Sequence, residues 1–116
     1  MSELPPQVQN LIAQLQQVQQ QLQLVMTQRA QLEALLEETK QALDELQKAD
    51  ENTSIYKTVG GILVRESKDK VIKELTEKSE SFDIRIKTLG RQEERLRERF
   101  AELQKKIQTL LGQQAG

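Results

Sequence analysis

Two apolar stripes at heptad spacing run through most of the chain. Steps of alternating four and three residues reach Leu4, Val8, Leu11, Leu15, Val18, Leu22, Val25, Arg29, Leu32, Leu36, Thr39, Leu43 and Leu46, and only Arg29 and Thr39 interrupt the apolar row. A repeat of about 3.5 residues keeps the stripe against a partner helix in a left-handed supercoil. Pro5 and Pro6 suit a first helical turn, where a missing N–H costs little, so a helix is expected over residues 5–49. The second stripe runs Ile72, Leu75, Ser79, Phe82, Ile86, Leu89, Glu93, Leu96, Phe100, Leu103, Ile107 and Leu110, and predicts a helix over 68–111. Ser67 or Asp69 is the expected N-cap, and Gly112 the expected stop. Gly90 falls inside this second helix, at a cost of about 1 kcal/mol relative to alanine.

The short connector between the stripes makes the helices antiparallel. Heptad phase then pairs Val8 with Leu110, Leu36 with Phe82 and Leu46 with Ile72, and puts Thr39 and Ser79 in one layer. Arg29 and Glu93 lie about one turn apart and are expected to pair. The middle layers read as a plain coiled-coil seam. Gln14, Gln16, Gln17, Gln19, Gln20, Gln21 and Gln23 have the look of a low-complexity tract, but the apolar phase continues through them.

The period changes at the bend. After the polar breaker Asp50-Glu51-Asn52-Thr53-Ser54, two β-branched arms, Ile55-Tyr56-Lys57-Thr58-Val59 and Ile62-Leu63-Val64-Arg65, flank Gly60-Gly61. A glycine pair between such arms marks a two-residue hairpin turn, because primed turns need positive φ. A hairpin over 54–65 sets Val59 opposite Ile62, Lys57 opposite Val64 and Tyr56 opposite Arg65. A lone two-stranded hairpin is marginal in water, and Ile55, Val59, Ile62 and Val64, with open strand edges, call for partners. Equivalent hairpins of neighbouring chains closing into a shared sheet or barrel would supply them; the alternative is a hairpin folded back on the end of the coil. The expected fold class is therefore mainly α, a two-helix antiparallel coiled coil with one β-hairpin at its bend, in a single domain.

Composition removes most other functions. The 116 residues carry 30 % charged side chains but a net charge of only −1, with the signs intermixed. Nucleic acid and anionic membrane, which select for a basic surplus, are poor partners. Without cysteine or histidine, disulfides, thiol chemistry and the common general bases and zinc ligands are lost. Neither metal nor cofactor is expected. The carboxylate pairs Glu37-Glu38 and Glu93-Glu94 are expected to face mostly solvent, and Val59-Gly60-Gly61 lacks the lysine and following helix of a phosphate loop. The chain is not expected to be an enzyme. Met1 to Pro6 has neither the basic start nor the apolar run of a signal peptide, and no apolar run is long enough to span a bilayer. Asn52-Thr53-Ser54 matches a glycosylation acceptor by spelling only.

The helix ends away from the hairpin carry Leu4, Val8, Leu11 and Ile12 on one side and Leu103, Ile107, Leu110 and Leu111 on the other. Ile12 and Leu111 lie beside the seam and widen its apolar surface. No charge occurs from residue 4 to residue 28. A neutral apolar tip suits weak binding of many unfolded segments. It equally suits simple zipping of the coil ends.

Leu4-Pro5-Pro6-Gln7-Val8-Gln9-Asn10 with the Gln-rich heptads, Tyr56-Lys57-x-Val59-Gly60 leading into Ile62-Leu63-Val64, and Arg91-Gln92-Glu93-Glu94-Arg95-Leu96 resemble prefoldin β subunits, the archaeal kind in particular. The similarity covers nearly the whole chain, and room for a single hairpin favours the β over the α type. The resemblance implies a cytoplasmic, ATP-independent co-chaperone that needs no cofactor. It implies a hetero-hexamer of two α and four β subunits joined through hairpin barrels. Coiled-coil tips would hold non-native proteins and pass them to a group II chaperonin. Ile55, Tyr56, Val59, Gly60, Gly61, Ile62, Leu63 and Val64 would then form the assembly element. Leu4, Val8, Leu11, Ile12, Ile107, Leu110 and Leu111 would contact clients. The alternative from another class is a structural or adaptor coiled coil whose ends bind one specific folded partner. Such adaptors usually carry charge patterns that select the partner, which a charge-free first helix end does not supply.

Overall fold

A computed structural model describes residues 3–115. The element order is α1 (Pro6–Lys48), β1 (Ile55–Val59), β2 (Ile62–Glu66) and α2 (Lys68–Ala115). This is the expected class, two helices with one antiparallel hairpin between them. Every residue of the second stripe, and every residue of the first except Leu4, is buried or half-buried. The heptad step therefore identified the inward faces.

Local chemistry sets the ends. Pro6 opens α1, and the Pro5 carbonyl accepts the Gln9 amide at 3.0 Å. Ser67 caps α2: its Oγ accepts the Lys70 N–H at 3.3 Å. Its carbonyl accepts the Val71 N–H at 3.1 Å. The Lys68 ammonium donates to the Ala49 carbonyl at 2.9 Å, closing the C-terminal end of α1 with the first residue of α2. The expected stop at Gly112 is corrected, since α2 continues through it to Ala115. Glycine ends a helix only when the chain turns into the left-handed region, and Gly112 does not.

The chain forms two compact units. In the first, residues up to Arg29 pair with those from Thr88 onward. Contacts run Gln14 to Arg99, Met26 to Arg97 and Arg29 to Glu93. Rising numbers on α1 thus meet falling numbers on α2, and the segments are antiparallel. Val8, Val18, Val25 and Leu103 are its buried apolar residues. The second unit, Ala30–Lys87, holds the hairpin and buries Leu32, Val71 and Phe82. Val71 lies outside the stripe and was not expected in the core. Buried Thr39 donates its hydroxyl to the Leu35 carbonyl of its own helix at 2.8 Å, so it needs no polar partner across the seam.

The polar layer in the first unit is an ion cluster. Glu93, 5 % exposed, accepts Arg29 Nη1 at 2.8 Å on one carboxylate oxygen and Arg97 Nη2 at 2.9 Å on the other. The expected Arg29–Glu93 pair is present. As expected, most of the paired carboxylates face solvent: Glu37, Glu38 and Glu94 are exposed, and Glu93, a position of the stripe, is buried. Removing one member of a buried pair strands the others. Glu93→Ala is expected to cost about 2 kcal/mol in urea unfolding, below the 3–5 typical of full burial because the Arg29 and Arg97 side chains are 36 % and 56 % exposed. Arg29→Met combined with Glu93→Leu should recover most of that loss.

Gly90 has no packing reason to be glycine. Its φ is not positive, and a Cβ placed there meets nothing within 4 Å. Gly90→Ala is expected to raise stability by about 1 kcal/mol, read as a higher urea midpoint at unchanged slope.

Candidate functional site

The hairpin follows its sequence closely. β1 and β2 pair antiparallel in the register Ile55↔Glu66, Tyr56↔Arg65, Lys57↔Val64, Thr58↔Leu63 and Val59↔Ile62. Gly60 and Gly61 take φ of 55° and 81°, the paired positive values of a type I′ turn. A Cβ at either would find space, so backbone strain alone demands glycine there.

Strand alternation gives the hairpin two faces. One carries Ile55, Lys57, Val59, Ile62, Val64 and Glu66, the other Tyr56, Thr58, Leu63 and Arg65. Near the strand ends the first face is half-covered, at Ile55, Lys57 and Glu66. Towards the turn both faces stand in water: Ile62 is 67 % exposed and Leu63 69 %, with Tyr56, Val59 and Val64 also exposed. Among the described residues the sheet has two strands, so each has an open edge. An apolar hairpin in this state has the surface and the edges of an interface element.

A charged network anchors its base. Lys57 Nζ lies 3.3 Å from Glu74 Oε1 on α2 and 3.7 Å from Glu66 Oε2, and Lys70 Nζ lies 3.4 Å from the same Glu66 oxygen. The Ser67 N–H donates to Glu66 Oε1 at 3.2 Å. That backbone bond, with Lys70 and Lys57 beside it, holds the Glu66 carboxyl below the usual carboxylate range. Sequence reading missed this network. A lysine between apolar strand positions and a glutamate on the second turn of a helix are each ordinary, and only the docking of hairpin on helix joins them.

At the helix ends of the first unit the seven candidate contact residues separate into layers. Leu4 and Leu111 are exposed, Leu11, Ile12, Ile107 and Leu110 are half-buried, and Val8 is 1 % exposed. Val8, a position of the stripe, has its side chain already enclosed in the seam. A groove of about 590 Å³ is lined by Gln7 and Leu11 of α1 and by Glu102, Lys105, Lys106, Thr109 and Leu110 of α2. The α1 side is neutral as expected, but α2 adds a charged rim that the neutral reading of the tip overlooked. Three further apolar helix side chains outside both stripes, Leu24, Leu35 and Ile84, are exposed.

No helix among the described residues is long and apolar enough to cross a membrane. The family model described as "Prefoldin subunit" matches residues 9–114. The chain is 72 % identical over 116 residues to a prefoldin subunit beta of Archaeoglobus fulgidus, covering 100 % of both chains. It is 46 % identical over 114 residues to a prefoldin subunit beta of Methanosarcina acetivorans, covering 98 % of this chain and 97 % of that one. The crystal structure of the prefoldin beta subunit from Thermococcus strain KS-1 superposes with a TM-score of 0.88 at 44 % identity, covering 96 % of this chain and 97 % of that chain.

Proposed function

The chain belongs to the prefoldin family of chaperone subunits, and from that premise we propose that it works as a β-type subunit of an ATP-independent holdase. The observation that carries the reading is the hairpin, whose Ile62 and Leu63 are 67 % and 69 % exposed on opposite faces. Side chains of this kind gain about 1.5–3 kcal/mol each on burial. Hairpins of neighbouring subunits offer the matching surface and close the open edges. The full assembly is a hetero-hexamer of two α and four β subunits in the cytoplasm. Its coiled-coil tips hold unfolded clients and deliver them to a group II chaperonin. The groove of Leu11 and Leu110, with exposed Leu4 and Leu111, supports the tip as the client surface. Its lining combines leucines with polar and charged side chains, which suits weak capture of varied apolar segments. Prefoldins are chaperones and not enzymes, and holding needs no catalytic group.

The test mixes the chain with an α-type subunit and adds it, without nucleotide, to a chemically denatured client diluted into buffer. Light scattering is expected to fall towards baseline at stoichiometric complex, for several unrelated clients. Selective capture of one folded protein, with unrelated denatured proteins aggregating as before, would replace the holdase by an adaptor.

A further inference from the structure

One face of the hairpin carries Ile55, Val59, Ile62 and Val64 around a single lysine, Lys57, directly opposite Val64. An ammonium left on such a patch must be desolvated when another chain covers it, which opposes association. The amine does not stay there. It reaches Glu74 Oε1 and Oε2 at 3.3 and 3.4 Å, on the second turn of α2, and lies 3.7 Å from Glu66 Oε2. Lys57 is half-buried in this position, while Val59, Ile62 and Val64 remain exposed. Glu66 is already shared with Lys70 at 3.4 Å and with the Ser67 N–H at 3.2 Å. Glu74 is therefore the carboxylate that draws the amine away towards the helix.

We propose that Glu74 is a positioning residue for assembly: by holding the Lys57 ammonium over α2 it keeps the Val59–Ile62–Val64 patch free of charge for the hairpin of another subunit. The inference rests on the assembly reading above. Half-exposed ion pairs of this kind add little to the stability of a chain. The contribution of this one lies in where the charge is kept.

The experiment measures association of the full chain with an α-type prefoldin subunit by sedimentation equilibrium. Four variants are compared: Glu74→Gln, Glu74→Asp, Lys57→Met with Glu74→Gln, and Ile62→Asp with Leu63→Asp. Glu74→Gln is expected to weaken association roughly tenfold, less than stranding a fully buried interfacial charge would, because Glu66 stays 3.7 Å from the ammonium. Its thermal unfolding should stay nearly unchanged. Lys57→Met added to Glu74→Gln should restore the wild-type affinity, because the stranded charge is gone, and Glu74→Asp should keep most of it. Unchanged association of Glu74→Gln, or no rescue by Lys57→Met, overturns the inference. If the Ile62/Leu63 double variant also assembles normally, the assembly reading itself fails. If only that double variant loses assembly, the reading stands and the role of Glu74 does not.

Discussion

Aspartate at both Ile62 and Leu63 is expected to abolish association with other subunits and leave both helices folded. The two residues are neighbours on β2 and point to opposite faces, so the pair of substitutions places a carboxylate on each side of the sheet. Both side chains are about two-thirds exposed in the single chain, so the chain loses little of its own packing. Each apolar side chain forgoes about 1.5–3 kcal/mol on interface burial, and each carboxylate would have to be desolvated without a partner. Together these exceed about 4 kcal/mol per interface, a loss of about a thousandfold in affinity. Sedimentation should show monomer at concentrations where the wild-type chain is assembled, with an unchanged helical circular dichroism signal. Intact assembly in this variant would remove the hairpin from the interface. Loss of the helical signal would mean instead that these side chains serve the fold of the chain itself.

How legible each part was depended on the range of the interaction involved. The stripes were readable because a seam imposes a period on every turn, and Val8, Leu32, Phe82 and Leu103 are buried as the heptad step requires. The hairpin was readable because Gly60-Gly61 fixes both turn and register locally. Boundaries were weaker. Gly112 reads as a stop by composition, but α2 passes through it, and Ser67 rather than Asp69 supplies the cap. Contacts joining distant elements were partly visible. The Arg29–Glu93 pair followed from facing heptads, while Arg97, one turn from Glu93, completed the cluster unannounced. The Lys57–Glu74 contact joins residues 17 positions apart on different elements, which no local pattern encodes. At the tip, the sequence named seven apolar residues but could not rank them. Their order follows from where the last seam layer closes, enclosing Val8 and leaving Leu4 and Leu111 outside.

That order defines the second large effect. Serine at Leu4, Leu11, Leu110 and Leu111 is expected to leave assembly intact and to remove most of the protection given to denatured clients. Val8 is kept because its buried side chain holds the seam. The four leucines are exposed or line the groove, so each loses about 1 kcal/mol of client burial, less than a fully buried leucine would. Weak contacts at several tips act on one client, and avidity multiplies a small loss at each. The concentration of complex needed to halve aggregation should therefore rise at least about tenfold. Because Glu102, Lys105 and Lys106 remain at the groove rim, any residual binding should become more sensitive to salt. Light scattering of a diluted denatured client, with sedimentation as the control for assembly, separates the two roles. Full protection by the serine variant would mean that clients bind elsewhere on the chain and that the tip leucines only zip the helix ends.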